Sequence, residues 1–327
     1  MYRTSGTRDE GRGRRVTTGV VLAREGSTYR VDTDAGEVTA VLRGKLKHRD
    51  DDRVVAGDVV DLEPAGDGTV VITTIRPRKS VLARRVAAGE RTGRRAQPIA
   101  ANVDQVVVVV AARDPEPNPR HVDRLLVIAA ANGLPAVVIL NKIELDRGAL
   151  ERLGRRFGPA GYQVLGTSVK APENLPALRD LLRDRASVLT GASGVGKSSL
   201  VNALQPGLKL RIGEVSEKWR TGKHTTRAAV LVRLASLGRG YVVDTPGLRE
   251  VGTWGVEPDA LGVCFPEFRP FLDRCRFDNC RHLVEPHCAV RQAAEQGAFD
   301  PDRLVSYQRL YEEISVPSWS TARRRER

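Results

Sequence analysis

Ser187-Val188-Leu189-Thr190-Gly191-Ala192-Ser193-Gly194-Val195-Gly196-Lys197-Ser198-Ser199-Leu200 is the stretch that decides how this chain folds. It opens on a strand-like run, crosses a glycine-rich loop and enters a helical pattern carried by Leu200 and Leu204. Strand, glycine loop and helix in that order make a phosphate-binding loop. The glycines let backbone N–H groups turn inward around a β-phosphate. Lys197 brings charge to the β- and γ-oxygens, and Ser198 offers a hydroxyl to Mg²⁺. Residues 191–199 are therefore the first candidate ligand contacts, and they require an α/β sheet around them.

Upstream the same alternation continues. The run Val103-Asp-Gln-Val-Val-Val-Val-Val-Ala-Ala112 reads as a central parallel strand buried on both faces. Asn118 can cap a helix with Pro119 in its first turn, and Val122, Leu125, Leu126 and Ala129 fall on one face. Residues 136–141 predict a strand, 147–156 a helix, 162–168 a strand and 174–184 a helix. Residues 230–236 and 240–245 supply two further strands. The central domain is expected over 96–256 as a mostly parallel sheet with helices on both faces.

Residues 1–15 are arginine-rich and almost without apolar side chains, which reads as a disordered basic arm. From Val16 to about Arg76, five short β-rich runs are separated by turns at 34–36, 56–58 and 66–68. Five strands in so few residues suit an oligonucleotide-binding (OB-type) barrel. Residues 76–95 are dense in arginine and read as a mobile basic connector that completes a 16–95 unit. Residues 257–327 are rich in Cys, His, Pro and aromatics and end in a basic tail.

Asp244-Thr245-Pro246-Gly247 follows the strand Gly240–Val243. There Asp244 can hold Mg²⁺ through water and the Gly247 N–H can approach a γ-phosphate. Gly222-Lys-His224-Thr225-Thr226-Arg227 lies between the two phosphate motifs and can offer a hydroxyl to the metal. Thr226 is favoured as that ligand, with Thr225 close behind. Asn141-Lys142-Ile143-Glu144 resembles the guanine-reading Asn-Lys-x-Asp element, and Ser168-Val169-Lys170 resembles the Ser-Ala-Lys element that meets the guanine carbonyl. A carboxylate at position 144 accepts from guanine N1–H and N2–H₂, a donor pair that adenine lacks. Glutamate keeps that acceptor pair but adds a methylene. GTP and GDP are the expected ligands.

The order of these motifs departs from ordinary GTPases. The base-reading elements precede the phosphate loop, so the domain is circularly permuted, which nearby termini allow. Permutation also runs the Asp244 loop straight into the C-terminal region. Hydrolysis is accordingly expected to shift that region relative to the barrel.

Cys275-x₄-Cys280-x-His282-x₅-Cys288 supplies three thiolates and one imidazole, a closed tetrahedral set suited to one structural Zn²⁺. His287 competes for the fourth place, while Cys264 reads as a small core residue. Lys and Arg outnumber Asp and Glu by 53 to 40, for a net charge of +13. A surplus of that size points to a polyanionic partner. Four cysteines, three of them clustered, do not make a disulfide scaffold, which places the chain in the reducing cytoplasm. No apolar run approaches the roughly 18 residues of a membrane span.

Together these residues resemble the ribosome small-subunit-dependent GTPase A (RsgA) family. The resemblance runs from about residue 16 to 315. Besides the motifs above it includes Arg43-Gly-Lys-Leu-Lys-His48 in the barrel and Pro98-Ile-Ala-Ala-Asn102-Val-Asp104 at the entry to the GTPase domain. It implies a subunit-stimulated GTPase in late maturation of the small ribosomal subunit, whose barrel and zinc domain contact ribosomal RNA; the chain itself is expected to be a monomer. Leu248 stands where many GTPases carry the glutamine that orients the attacking water, and the family is similar in lacking it. His224 is the candidate for that role, with the ribosome as the alternative. Lys197, Thr226, Asp244 and Gly247 complete the expected catalytic set.

Overall fold

The computed structural model describes residues 16–44, 53–65, 68–85, 96–208, 229–244 and 256–315. Strands β1 (Thr17–Glu25), β2 (Thr28–Thr33), β3 (Gly36–Leu42), β4 (Val59–Pro64) and β5 (Val70–Ile75) close into a barrel in the order β1-β2-β3-β5-β4. The β3–β5 pair is parallel and the others are antiparallel. One residue in two turns inward, so Val21, Tyr29, Val31, Val60, Leu62 and Ile72 fill the barrel.

Part of the 76–95 connector is strand: β6 (Val81–Arg85) pairs antiparallel with β7 (Ala96–Ala101). Leu82 and Ala100 are fully buried, and that burial outweighs the basic composition around them. Gly57 sits against this hairpin at φ +91°, where a Cβ would lie 2.0 Å from the Ala101 carbonyl oxygen. Only glycine fits there.

The second sheet comprises β8 (Gln105–Ala111), β9 (Ala136–Asn141), β10 (Gln163–Thr167), β11 (Ala186–Thr190), β12 (Val230–Leu234) and β13 (Gly240–Asp244). Its order is β10-β9-β8-β11-β13-β12, parallel except for the antiparallel edge strand β12. Val106, Val108 and Val110 of β8 pack with helices α1 (Pro119–Ala131) and α2 (Gly148–Phe157). Val107 and Val109 face the opposite layer, formed by α3 (Leu175–Leu182) and α4 (Lys197–Leu204). A strand with both faces covered needs no polar alternation, which explains the unbroken valine run. The connections diverge between β8 and β11, so the crevice at their C-terminal ends is where a ligand fits an open α/β sheet.

Beyond Val256 come short 3₁₀ turns, α5 (Ala289–Glu295) and α6 (Pro301–Ser315). Phe265, Phe268, Phe299, Tyr307 and Tyr311 form their core, with Val127 of α1 inserted from the GTPase sheet. The junction also holds a cluster of buried ions. Arg303 Nε donates to Glu267 Oε1 at 2.5 Å and its Nη1 to Asp123 Oδ1 at 2.6 Å. Arg156 Nη2 donates to the other Asp123 oxygen at 2.7 Å. Burial opposes the Arg303 charge, yet the hydrogen bonds to Glu267 and the Asp123 carboxylate hold its pKa above the ordinary guanidinium range.

At the barrel junction, Asp32 accepts from Arg233 of β12 at 2.7 Å and from the Tyr241 hydroxyl of β13 at 2.6 Å. Burial, followed by the Asp32 contact, pushes the Tyr241 pKa above the usual phenol range. No helix among the described residues is long and apolar enough to cross a membrane.

Candidate nucleotide and metal sites

Because β8, β9, β10 and β11 run parallel, their C-terminal ends share one edge of the sheet. Three sequence motifs scattered over residues 141–199 therefore meet there. Gly191 leaves β11 at φ +141°, and a Cβ on it would lie 2.1 Å from the Val109 carbonyl oxygen. Gly196 at φ +96° would place a Cβ 2.3 Å from Asn141 Nδ2. Both close approaches explain why side chains are excluded at these two turns. Helix α4 starts at Lys197, so the N–H groups of Ser198 and Ser199 lie in its first turn, where anions are favoured. Lys197 is buried, and its Nζ donates to the carbonyls of Gly191 at 2.8 Å and Ala192 at 2.7 Å.

Asn141 ties the end of β9 to the glycine-rich loop. It ends β9, is 2% exposed, and donates from Nδ2 to the Val195 carbonyl at 2.9 Å. Its Oδ1 accepts from Thr167 at 3.3 Å. Lys142 takes the left-handed conformation, φ 60°, and its Nζ donates to the Asp114 carbonyl. Glu144 follows in a 3₁₀ turn (Ile143–Leu145), and its Oε2 is buried with no hydrogen-bond partner among the described residues. A buried carboxylate oxygen lacking a donor is costly unless a ligand supplies one. Ser168 is fully buried, and its Oγ accepts from the Ala171 N–H at 3.0 Å, shaping the loop that carries Val169 and Lys170.

Two contributors to this edge were not anticipated from the sequence. The loop before α1 brings Pro115 to 3.6 Å from a Cβ built on Gly194. His121, in the first turn of α1, is half-buried, and burial followed by the charges of Arg124 and Lys197 lowers its pKa. Position 121 lies far from the phosphate loop in sequence, so no local signal marks it. Of the remaining candidates, Asp244 ends β13 as expected. His224, Thr225, Thr226, Gly247 and Leu248 lie outside the described residues, as do the 1–15 arm and the basic tail.

The metal set is assembled independently of the sheet. Cys275 Sγ lies 3.6 Å from His282 Nδ1 and 4.0 Å from Cys288 Sγ, and His282 Nδ1 lies 3.3 Å from Cys288 Sγ. With Cys280, the four donor atoms lie within 4.8 Å of one another. A tetrahedral ion bonded to sulfur at about 2.3 Å and nitrogen at about 2.0 Å needs edges of about 3.5–3.8 Å, so the donor set fits zinc. Burial pushes the Cys280 thiol up to about 12 and raises Cys288, so without a cation these thiols stay protonated. His287 is exposed and outside the cluster, so His282 is the histidine that lies with the three thiols. Cys264 is buried in the core, 3.4 Å from the Ala260 carbonyl, as expected.

A phosphate loop entered from the middle of the sheet, with the end of β9 clipped to it from earlier in the chain, defines a circularly permuted GTP-hydrolysing enzyme. Comparison with known proteins gives the family. Residues 75–254 match the model of the RsgA GTPase. The small ribosomal subunit biogenesis GTPase RsgA of Gemmatimonas aurantiaca is 48% identical over 304 residues, covering 91% of this chain and 97% of the relative. The protein of the same name from Moorella thermoacetica is 37% identical, covering 90% and 97%. The crystal structure of YjeQ from Thermotoga maritima superposes with a TM-score of 0.75 at 32% identity, covering 91% and 98%. That of YloQ, a circularly permuted GTPase, gives 0.71 at 26%, covering 94% and 98%. This chain belongs to the RsgA GTPase family.

Proposed function

We propose that this protein binds ribosomal RNA of the small ribosomal subunit in the cytoplasm and hydrolyses GTP to GDP and phosphate, faster when the subunit is bound. The observation that carries the nucleotide reading is the Asn141–Val195 hydrogen bond beside the unpartnered Glu144 oxygen. Glu144 accepts from the guanine N1–H and N2–H₂ edge, Asn141 and Lys142 frame the base, and the Ser168-Val169-Lys170 backbone meets its carbonyl. The amides of residues 191–199 and the Lys197 ammonium hold the phosphates. Ser198, Thr226 and Asp244 hold Mg²⁺, which when bound neutralises charge developing on the β- and γ-oxygens. The Gly247 N–H meets the γ-phosphate, and His224 positions the attacking water in place of a glutamine. Cys275, Cys280, His282 and Cys288 hold one structural Zn²⁺.

Small-subunit partnership rests on the names of the relatives, and RNA contact on the net charge of +13 and the OB-type barrel. The working boundaries are 16–95 for the barrel unit, 96–256 for the GTPase domain and 257–327 for the zinc domain, in a monomer. The test is hydrolysis of GTP and ATP by purified protein with and without small subunits. Stimulation confined to GTP is expected. Equal turnover of both nucleotides would overturn the base reading, and indifference to subunits would overturn the partner.

A further inference from the structure

The barrel grips the β12–β13 hairpin of the GTPase sheet at two points. Arg233 and Tyr241 stand directly opposite each other in the antiparallel ladder. Both donate to one carboxylate of β2: Arg233 Nη1 to Asp32 Oδ1 at 2.7 Å and the Tyr241 hydroxyl to Asp32 Oδ2 at 2.6 Å. At the turn of the hairpin, Arg239 Nη2 donates to Asp34 Oδ1 at 2.6 Å, and the Arg239 N–H donates to Asp184 Oδ1 at 2.8 Å. Gly238 takes φ 66° there, and a Cβ on it would lie 2.4 Å from the same Asp184 oxygen. The turn is thereby fixed against the segment after α3 as well as against the barrel.

The other end of this hairpin carries nucleotide chemistry. β13 runs from Tyr241 to Asp244 over about 10 Å of extended chain. Its neighbour β11 is parallel, with Val188 opposite Val243, so Asp244 and the phosphate loop leave the same edge of the sheet. A strand is stiff along its length, and a shift at Tyr241 is passed on to Asp244. The grip itself surrounds a cavity of about 100 Å³, lined by Asp32, Asp104, Arg76, Arg233, Arg239 and Tyr241. A cavity this polar and this large admits water instead of closing to apolar contact. Arg233 Nε is buried beside it without a hydrogen bond among the described residues. Asp32 is 6% exposed, so its charge relies on Arg233 and Tyr241 for compensation. Directed bonds, which are sensitive to distance and angle, therefore hold this part of the hairpin to the barrel.

We infer that Asp32 of the barrel is a positioning residue for GTP hydrolysis: through Arg233 and Tyr241 it sets the pose of β13, and so of Asp244, against the phosphate loop. A partner that shifts the barrel then acts on turnover without touching the nucleotide. This rests on the hydrolysis reading above and adds the route by which barrel and nucleotide site communicate. The test compares full-length wild type with Tyr241→Phe, Asp32→Asn and the double variant. Tyr241→Phe keeps the ring and removes the hydroxyl, while Asp32→Asn keeps the shape and removes the charge. The readouts are kcat and KM for GTP with and without small ribosomal subunits, affinity for a fluorescent GDP, and hydrogen exchange of residues 229–244.

A displacement of about 1 Å at a reacting centre costs up to about 100-fold in rate. Each single variant is expected to lower kcat of the isolated protein roughly 10- to 100-fold, with KM and GDP affinity at wild-type values. Exchange at the end of β13 should rise. The double variant should be no slower than the slower single variant, because both changes break one contact. Wild-type kcat in both single variants would overturn the inference. So would a loss of GDP affinity equal to that of kcat, which marks a merely structural contact, and so would losses that multiply in the double variant. A wild type indifferent to subunits would overturn the partner reading alone, since kcat of the isolated variants still decides whether Asp32 positions β13.

Discussion

Replacing Arg303 with methionine should undock the zinc domain from the GTPase sheet. Arg303 is 1% exposed and serves two carboxylates, with Glu267 held at two points, 2.5 and 3.1 Å, and Asp123 at 2.6 Å. Its guanidinium also lies over the Phe265 ring at 4.7 Å. In Arg303→Met, Asp123 keeps Arg156, but Glu267 becomes a buried charge that has lost this cation. Breaking a buried pair in this way costs about 3–5 kcal/mol, or roughly 150- to 5,000-fold in the docking equilibrium. Adding Glu267→Leu removes the stranded charge, and such paired replacements by apolar residues are close to neutral, so most of the loss should return. The assay is urea titration of zinc release to a colorimetric chelator, which follows the C-terminal transition by itself. A single variant within about 1 kcal/mol of wild type, or a double variant no better than the single, would refute the assignment of stability to this ion cluster.

Further outcomes concern the nucleotide edge and the metal set. Asn141→Ala removes a buried hydrogen bond and strands the Val195 carbonyl, so GTP and GDP affinities should fall together by roughly 5- to 150-fold, measured by titration of a fluorescent guanine nucleotide. Glu144→Gln, which replaces one acceptor oxygen with a donor, should lose guanine affinity in the same titration while leaving adenine binding as weak as before. Zinc stripping should abolish the heat-unfolding transition of the C-terminal region and leave that of the barrel, because three clustered thiols and an imidazole without a cation have nothing that makes their assembly favourable. For His121 the pKa is lowered, so the unfolded chain binds the extra proton first. Its contribution to stability is then fully present above about pH 6.5 and lost as pH falls through the folded value. Its ring resonances should titrate below pH 6.5 in the folded protein, and a midpoint above that would contradict the placement.

The chemistry was legible from sequence wherever it is local. A phosphate loop is built from backbone turns, so Gly191, Gly196 and Lys197 reveal it within a single short stretch. The five barrel runs, the valine strand β8 and the spacing of Cys275, Cys280 and Cys288 are local in the same way. Permutation was also readable, since it is a statement about order alone. The sequence did not carry what depends on groups far apart in the chain. The register that brings Asn141 to Val195, 54 residues on, is set by parallel packing of β9 and β11 on either side of β8. The spacing already favoured His282 over His287, and the fold brings His282 Nδ1 to 3.3 Å from Cys288 Sγ. The β6–β7 hairpin was hidden by arginines, because burial of Leu82 and Ala100 outweighs local composition. The Asp123–Arg303 contact spans 180 residues and looks, in sequence, like two ordinary surface charges on helices. Local chemistry is written in spacing, whereas the desolvation that gives a charge its partner exists only once distant elements pack.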